Sequence, residues 1–259
     1  MKGNNTFSIV VSGKGGVGKT NISAMLVRKL SKKGKVLAID ADPDSNLPQA
    51  LGVNVDKDVG KVREIAIKKA LKNRSQNISQ SQNAMNIFGE DLEALVEETD
   101  SFDIVVMGRS EGVGCYCGIN HIIRRVIDVR ATKYDYTVID CEAGLEHLSR
   151  RTTNNIDLLV TVTDPSLYGL MAVKRIFEMT ENLLIDFDKI IVIANKITDN
   201  TREHLDKTAK ENGIKIDAYI PYVEEIADLD ARGGSTFELS ECSEAYLTID
   251  SVLKDIAKQ

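Results

Sequence analysis

The sequence predicts an α/β protein built on a doubly wound, mostly parallel sheet flanked by helices. Apolar, β-branched runs alternate with amphipathic segments along most of the 259 residues. The runs are near-continuous in Val, Ile and Leu, the pattern of strands covered on both faces. A glycine-rich loop, Gly13–Thr20, joins the first run to the first amphipathic segment. In such sheets ligands bind at the carboxyl ends of the strands, so residues there carry most of the functional information.

Strands are expected, in order, at Phe7–Ser12, Lys35–Asp40, Phe102–Met107, Tyr136–Asp140, Leu158–Thr163, Ile190–Ala194 and Ile214–Ile220. Amphipathic helices are expected at Asn21–Lys32, Ile119–Thr132, Ser166–Leu184 and Thr201–Asn212, with another over Tyr246–Lys258. Residues 53–84, rich in Lys, Asn, Gln and Ser, read as a solvent-exposed excursion with a helix at about 60–71. No Pro/Gly/Ser-rich linker and no internal repeat divides the chain, so one domain over 1–259 is expected.

Composition narrows the functional classes. A hydrophobic content of 42% is enough to bury one large core or two small ones. The net charge of −6 and pI near 5.3 argue against nucleic-acid binding, which needs a cationic footprint. No apolar run is long enough to span a bilayer, and the N-terminus lacks the apolar core of a signal peptide. A cytoplasmic protein with neither nucleic acid nor membrane as partner is expected. The four cysteines are too scattered for a disulfide framework, but Cys115 and Cys117 are one residue apart.

Gly13-Lys14-Gly15-Gly16-Val17-Gly18-Lys19-Thr20 fits the phosphate-loop pattern G-x-x-x-x-G-K-[ST], and Asn21 follows it. Its glycines let successive N–H groups point inward at phosphates, and the helix behind adds its positive end. Lys19 is placed to reach the β- and γ-phosphates and the Thr20 hydroxyl to ligate Mg²⁺. Tyr136–Asp140 reads as the strand that brings Asp140 to the same Mg²⁺. After the sixth strand, the Asn195 amide can both donate to and accept from an adenine edge. The guanine-selecting N-K-x-D pattern fails, because Thr198 stands two residues after Lys196 and Asp199 comes one residue late. ATP is therefore expected rather than GTP.

Lys14, directly after the first glycine, resembles the deviant Walker A motif of the MinD/ParA/nitrogenase-iron-protein class of P-loop NTPases, the SIMIBI class. That resemblance implies a homodimer that sandwiches nucleotide, with Lys14 reaching the partner's phosphates as an arginine finger does. It also implies a first switch at Asp40-Ala41-Asp42-Pro43-Asp44, in which Asp42 orients the attacking water and Asp40 supports the Mg²⁺ shell. A second switch would include Gly144, whose N–H can turn toward the γ-phosphate. Asn195 would contact adenine, with Pro221 lining the base pocket.

In Gly108–Gly118 the two cysteine side chains would share one face of an extended segment, and nearby glycines would let the backbone turn both sulfurs to one point. Two thiolates are half of a four-coordinate soft-metal site, and a two-fold axis would supply the other half. The segments GRSEGVGCYCG and TVIDCEAGLEHLSRRTT resemble the nickel-insertion ATPases of the CooC and AcsF type, which mature carbon monoxide dehydrogenase and acetyl-CoA synthase. The resemblance implies one Ni²⁺ (or Zn²⁺ in vitro) held by Cys115 and Cys117 of both chains, with the apoenzyme as client.

Two alternatives stand beside this reading. An electron donor like the nitrogenase iron protein would carry a [4Fe–4S] cluster at the dimer axis, but Glu146–Arg151 lacks that family's second cysteine. A positioning ATPase of the ParA/MinD kind would need DNA or membrane contacts, and the charges on Tyr246–Lys258 cancel. His147 reads as a metal relay or a structural histidine, and Cys141 as a small buried hydrophobe.

Overall fold

The first strand, β1 (Phe7–Gly13), sends Ile9 and Val11 into one hydrophobic core and Val10 into another, all three fully buried. This division between two faces is why the run shows no polar alternation. The computed structural model describes residues 6–62, 64, 95–109, 122–123, 125–127, 129, 131–145, 156–182 and 186–257.

After β1 come α1 (Lys19–Leu30), β2 (Val36–Ala41), α2 (Leu47–Leu51), β3 (Glu97–Glu98), β4 (Asp103–Val106) and β5 (Tyr136–Cys141). The second half holds β6 (Ile156–Thr163), α3 (Leu167–Asn182), β7 (Phe187–Ile197), α4 (Asp199–Glu211), β8 (Ala218–Pro221), α5 (Glu224–Arg232) and α6 (Glu244–Ala257). Among the described residues the strands form one eight-stranded sheet in the order β3-β4-β2-β5-β1-β6-β7-β8. Only the β3–β4 edge pair is antiparallel. Because β1 lies between β5 and β6, the chain winds away from it in both directions. The crevice above its carboxyl end is the topological switch point where such folds bind ligands.

On one face, α1 and α6 pack Ile22, Met25, Leu26, Tyr246, Ile249 and Leu253 against Ile9, Val11, Val138 and Val160. On the other, Ile122, Ile123, Val126 and Ile127 cover Val10, Leu37, Ile39 and Ile139. A third cluster joins α3 and α4 to β7 through Leu170, Val173, Leu205, Ala209, Val192 and Ala194. Each such aliphatic side chain contributes about 1.5–3 kcal/mol relative to exposure. Buried Arg28 fixes α1 to the segment before α6: its guanidinium donates to the carbonyls of Thr236 (2.8 Å) and Leu239 (2.7 Å) and lies over the Phe237 and Tyr246 rings.

All the expected strands are present, with shifted ends. β7 runs beyond Ile190–Ala194 because its pairing with β6 starts at Phe187. The expected Ile214–Ile220 strand contracts to Ala218–Pro221. Ile214 instead closes the end of α4, its N–H donating to the Ala209 carbonyl at 2.9 Å. The described part of Ile119–Thr132 is helical, as are residues 60–62 and 64. The rest of the expected 60–71 helix, and the last residues of Ser166–Leu184, lie outside the described residues. α2, β3 and α5 were not expected from the sequence.

Candidate functional site

The glycine-rich loop leaves β1 at the switch point and runs straight into α1. Gly18 caps that helix with φ +93, and a Cβ there would collide with the Asn195 amide, so glycine is required on two counts. Lys19 opens the helix with its side chain buried and its Nζ 3.2 Å from the Lys14 carbonyl. A cavity of about 500 Å³ opens over this turn. Gly15, Gly16, Gly18, Lys19, Thr20, Asn21, Asp42, Asp44, Lys196 and Asp230 are among the residues lining it. Helix N-terminal amides, a buried lysine and a polar wall suit a nucleoside polyphosphate. Val17 faces the hydrophobic core instead, and Gly13 and Lys14 border a second cavity of about 350 Å³ shared with Gly144.

The acidic residues converge because β2 and β5 are neighbours. Asp40 and Asp140 are register partners, and both are buried. Burial pushes the Asp140 carboxyl up to about 6, even though it accepts hydrogen bonds from the Thr20 and Ser23 hydroxyls, the latter at 3.0 Å. Asp40 is raised well above the usual range by burial and by the neighbouring Asp140 charge. Its oxygens brace the first switch, accepting from the backbone N–H groups of Asp42 (3.1 Å) and Leu47 (3.0 Å). Asp42 is half-buried and accepts from the Asp44 N–H at 2.9 Å. Two buried carboxylates beside a threonine hydroxyl form a hard-oxygen set that a divalent cation would neutralise. Asp140 and Thr20 fit Mg²⁺, which when bound neutralises phosphate charge.

Gly144 sits where the second switch is expected. Its N–H donates to the Glu142 carbonyl at 2.8 Å, and its carbonyl accepts from Ser12 Oγ on β1 at 3.0 Å. On the base side, a register shift in the β7–β8 pairing carries Asn195 and Lys196 toward the loop, with Lys196 at φ +60. Asn195 Nδ2 donates to the Val17 carbonyl at 2.8 Å and its Oδ1 accepts from the Lys196 N–H at 2.9 Å. Lys196 Nζ donates to the Gly16 carbonyl at 2.8 Å. Both residues thus clamp the phosphate loop, and Pro221 lies beside them, paired in register with Ile197.

Sequence reasoning missed Ser23 and Asp230. Ser23 follows the phosphate-loop lysine by one helical turn, a spacing that could have pointed to it. Asp230 accepts from Asn21 Nδ2 at 3.0 and 3.1 Å across the cavity, a contact that nothing local announces. Cys115, Cys117 and His147 lie outside the described residues. The chain approaches the cysteines through Gly108 and Arg109: Arg109 touches the first switch, and Gly108 touches the residue just after it. The Gly108 N–H donates to Ser45 Oγ at 3.2 Å, and Arg109 forms an ion pair with Asp44. Cys141 is buried in the second core and Cys242 is exposed. Among the described residues, no three His, Cys, Asp or Glu side chains gather as a metal-ligand cluster.

Residues 8–237 match the CobQ/CobB/MinD/ParA nucleotide-binding domain family. The chain belongs to that family. As a CobQ/CobB/MinD/ParA protein it is a P-loop ATPase. An ATP-binding protein of Methanocaldococcus jannaschii is 43% identical over 96% of this chain and 97% of that one. The carbon monoxide dehydrogenase accessory protein CooC of Rhodospirillum rubrum is 34% identical, covering 73% of this chain and 74% of its own. Among solved structures, a ParA family ATPase from Chlorobium tepidum superposes with TM-score 0.67 at 22% identity, over 95% and 96% of the two chains. MinD from Pyrococcus horikoshii, complexed with Mg-ADP, gives TM-score 0.66 at 19% identity over 98% and 96%. These neighbours share the family's mostly parallel sheet. No helix among the described residues is long and apolar enough to cross a membrane.

Proposed function

We propose that this ATPase dimerises around nucleotide and carries Ni²⁺, on Cys115 and Cys117 of two chains, to carbon monoxide dehydrogenase or acetyl-CoA synthase. In this reading ATP draws two copies together, each Lys14 stabilises charge on the partner's triphosphate, and Asp42 orients the attacking water. Hydrolysis loosens the pair and frees the nickel, which is cargo rather than a resident cofactor. Such coupling requires closed and open dimers to bind nickel with different affinity.

The observation that carries the reading is the attachment of Gly108 and Arg109 to Ser45 and Asp44. The segment leading to the cysteines is thereby bonded to the lining of the nucleotide cavity. The 34% identity to the carbon monoxide dehydrogenase accessory protein supports the choice of client. A positioning role on membranes fits less well, because α6 buries Ala245, Tyr246, Ile249 and Leu253 in the core.

Anaerobic nickel titration with ATP present tests the proposal. One Ni²⁺ per dimer is expected, and Cys115→Ala/Cys117→Ala should lose it while still binding nucleotide. Undiminished nickel binding in that variant would overturn the assignment. Iron and acid-labile sulfide in the anaerobically purified protein would instead favour the electron-donor reading.

A further inference from the structure

Ser23 is a polar side chain on the buried face of α1. It is fully buried, and so are its chain neighbours Ile22 and Ala24. Alanine at this position would suit the helix better, and a buried hydroxyl without a partner is costly. A helical serine commonly turns its proton to the carbonyl four residues back. Ser23 instead donates to Asp140 Oδ1 on β5 at 3.0 Å, joining α1 to a strand 117 residues away in sequence. Thr20, one turn earlier on the same face of α1, donates to the same carboxyl. Thr20 lines the nucleotide cavity, and buried Asp140 stands behind it. Asp40, the register partner of Asp140, is held differently: its oxygens accept from the backbone N–H groups of Asp42 and Leu47. Asp40 is therefore tied to the first switch, and Asp140 to the helix that follows the phosphate loop.

We infer that Ser23 is a positioning residue for Mg²⁺: its hydroxyl fixes the plane of the Asp140 carboxyl, so that this carboxyl meets the cation beside Thr20. The inference rests on the fit of Asp140 and Thr20 to Mg²⁺. Near-ideal octahedral geometry is what Mg²⁺ demands, so a carboxylate free to turn holds it, or a water bound to it, less well. The Ser23 proton pins one oxygen and leaves the remaining lone pairs for that task. Ser23 itself does not line the cavity, so it acts through Asp140 and touches neither phosphate nor metal. Hydrogen-bond partners one step removed from a metal set its affinity by about ten- to hundredfold.

Mn²⁺ binding to the protein–ADP complex, followed through the electron paramagnetic resonance signal of the free ion, tests this. Ser23→Ala should weaken Mn²⁺ binding by about ten- to hundredfold, while ADP binding in EDTA stays unchanged. The Mg²⁺ concentration for half-maximal ATP turnover should rise by the same factor, with kcat at saturating Mg²⁺ retained. Ser23→Thr and Ser23→Val have nearly the same shape and differ in the hydroxyl, so packing changes cancel between them. The threonine variant should bind Mn²⁺ at least about tenfold more tightly than the valine variant. A packing role alone would move the melting temperature of both alike and leave Mn²⁺ affinity untouched. Equal Mn²⁺ affinity in those two variants, or unweakened binding in Ser23→Ala, overturns the role of Ser23. If Asp140→Asn also binds Mn²⁺ as the unmodified protein does, the assignment of Asp140 to Mg²⁺ fails. If Asp140→Asn loses Mn²⁺ while Ser23→Ala keeps it, that assignment stands and Ser23 alone is overturned.

Discussion

Asp40 and Asp140 stand side by side on neighbouring parallel strands, register partners on β2 and β5 that are both shut away from water. Burial raises both carboxyls above their usual range, and the Asp140 charge raises Asp40 further. A carboxyl moved from 3.8 to about 6 is worth about 3 kcal/mol. The folded chain binds the Asp140 proton more tightly than the unfolded chain does. Stability from this group is therefore present below about pH 4 and lost as pH rises toward about 6.

The nucleotide-free protein should accordingly melt at higher temperature at pH 5 than at pH 7.5. Asp140→Asn should narrow that difference, leaving the part that buried Asp40 contributes, and raise the melting temperature at pH 7.5, while abolishing Mg²⁺-dependent turnover. Calorimetric melts across this pH range decide the point, and an identical pH profile in the variant would remove Asp140 as its source.

Lys19 and Lys14 should separate cleanly in function. Lys19 lies buried over the loop, so Lys19→Ala should weaken ATP binding by about ten- to hundredfold, as loss of a charge-assisted phosphate contact does. Lys14→Ala should keep ATP binding and lose turnover. Isothermal titration beside a phosphate-release assay distinguishes them, and equal loss of binding in both would contradict the division of roles.

Asn195 should matter to loop rigidity. Removing its bond to the Val17 carbonyl in Asn195→Ala should cost about 1–2 kcal/mol. Asn195→Asp should cost more, because a carboxylate oxygen would then face that carbonyl. Denaturant midpoints and KM for ATP measure both effects, and an aspartate milder than alanine would argue against the clamp.

Arg109 is 70% exposed and its partner Asp44 61%, so their ion pair contributes about 0–1 kcal/mol to stability. Arg109→Ala should leave the melting temperature and basal turnover unchanged. Its nickel affinity should stop responding to ATP, read by competition with a colorimetric chelator. A fully retained ATP response would show that the coupling does not run through this pair.

The central parts of the site were legible before any coordinates. Gly13–Thr20 announces itself because loop, strand and helix are contiguous and each has a local pattern. Asp42, Asp140 and Asn195 could be singled out because they stand at or just beyond the carboxyl ends of strands, where this architecture binds ligands. α5 was overlooked although its signals are present: Glu224 and Glu225 in the first turn, and Gly233 as a left-handed C-cap. α2 is only five residues long with Pro48 in its first turn, and β3 is two glutamates on an edge, too short for any periodicity to register.

By itself the sequence determined the alternation of strand and helix, the phosphate loop and the chemical types around it, since each depends on residues within a turn or two of one another. The tertiary structure alone decided that β2 lies against β5, that Asn195 reaches back to Val17, and that Lys14 meets Asp164 across a long stretch of chain. Those contacts arise from packing two helical layers on one twisted sheet. Many strand orders satisfy the same local patterns, and only the packed whole selects one of them.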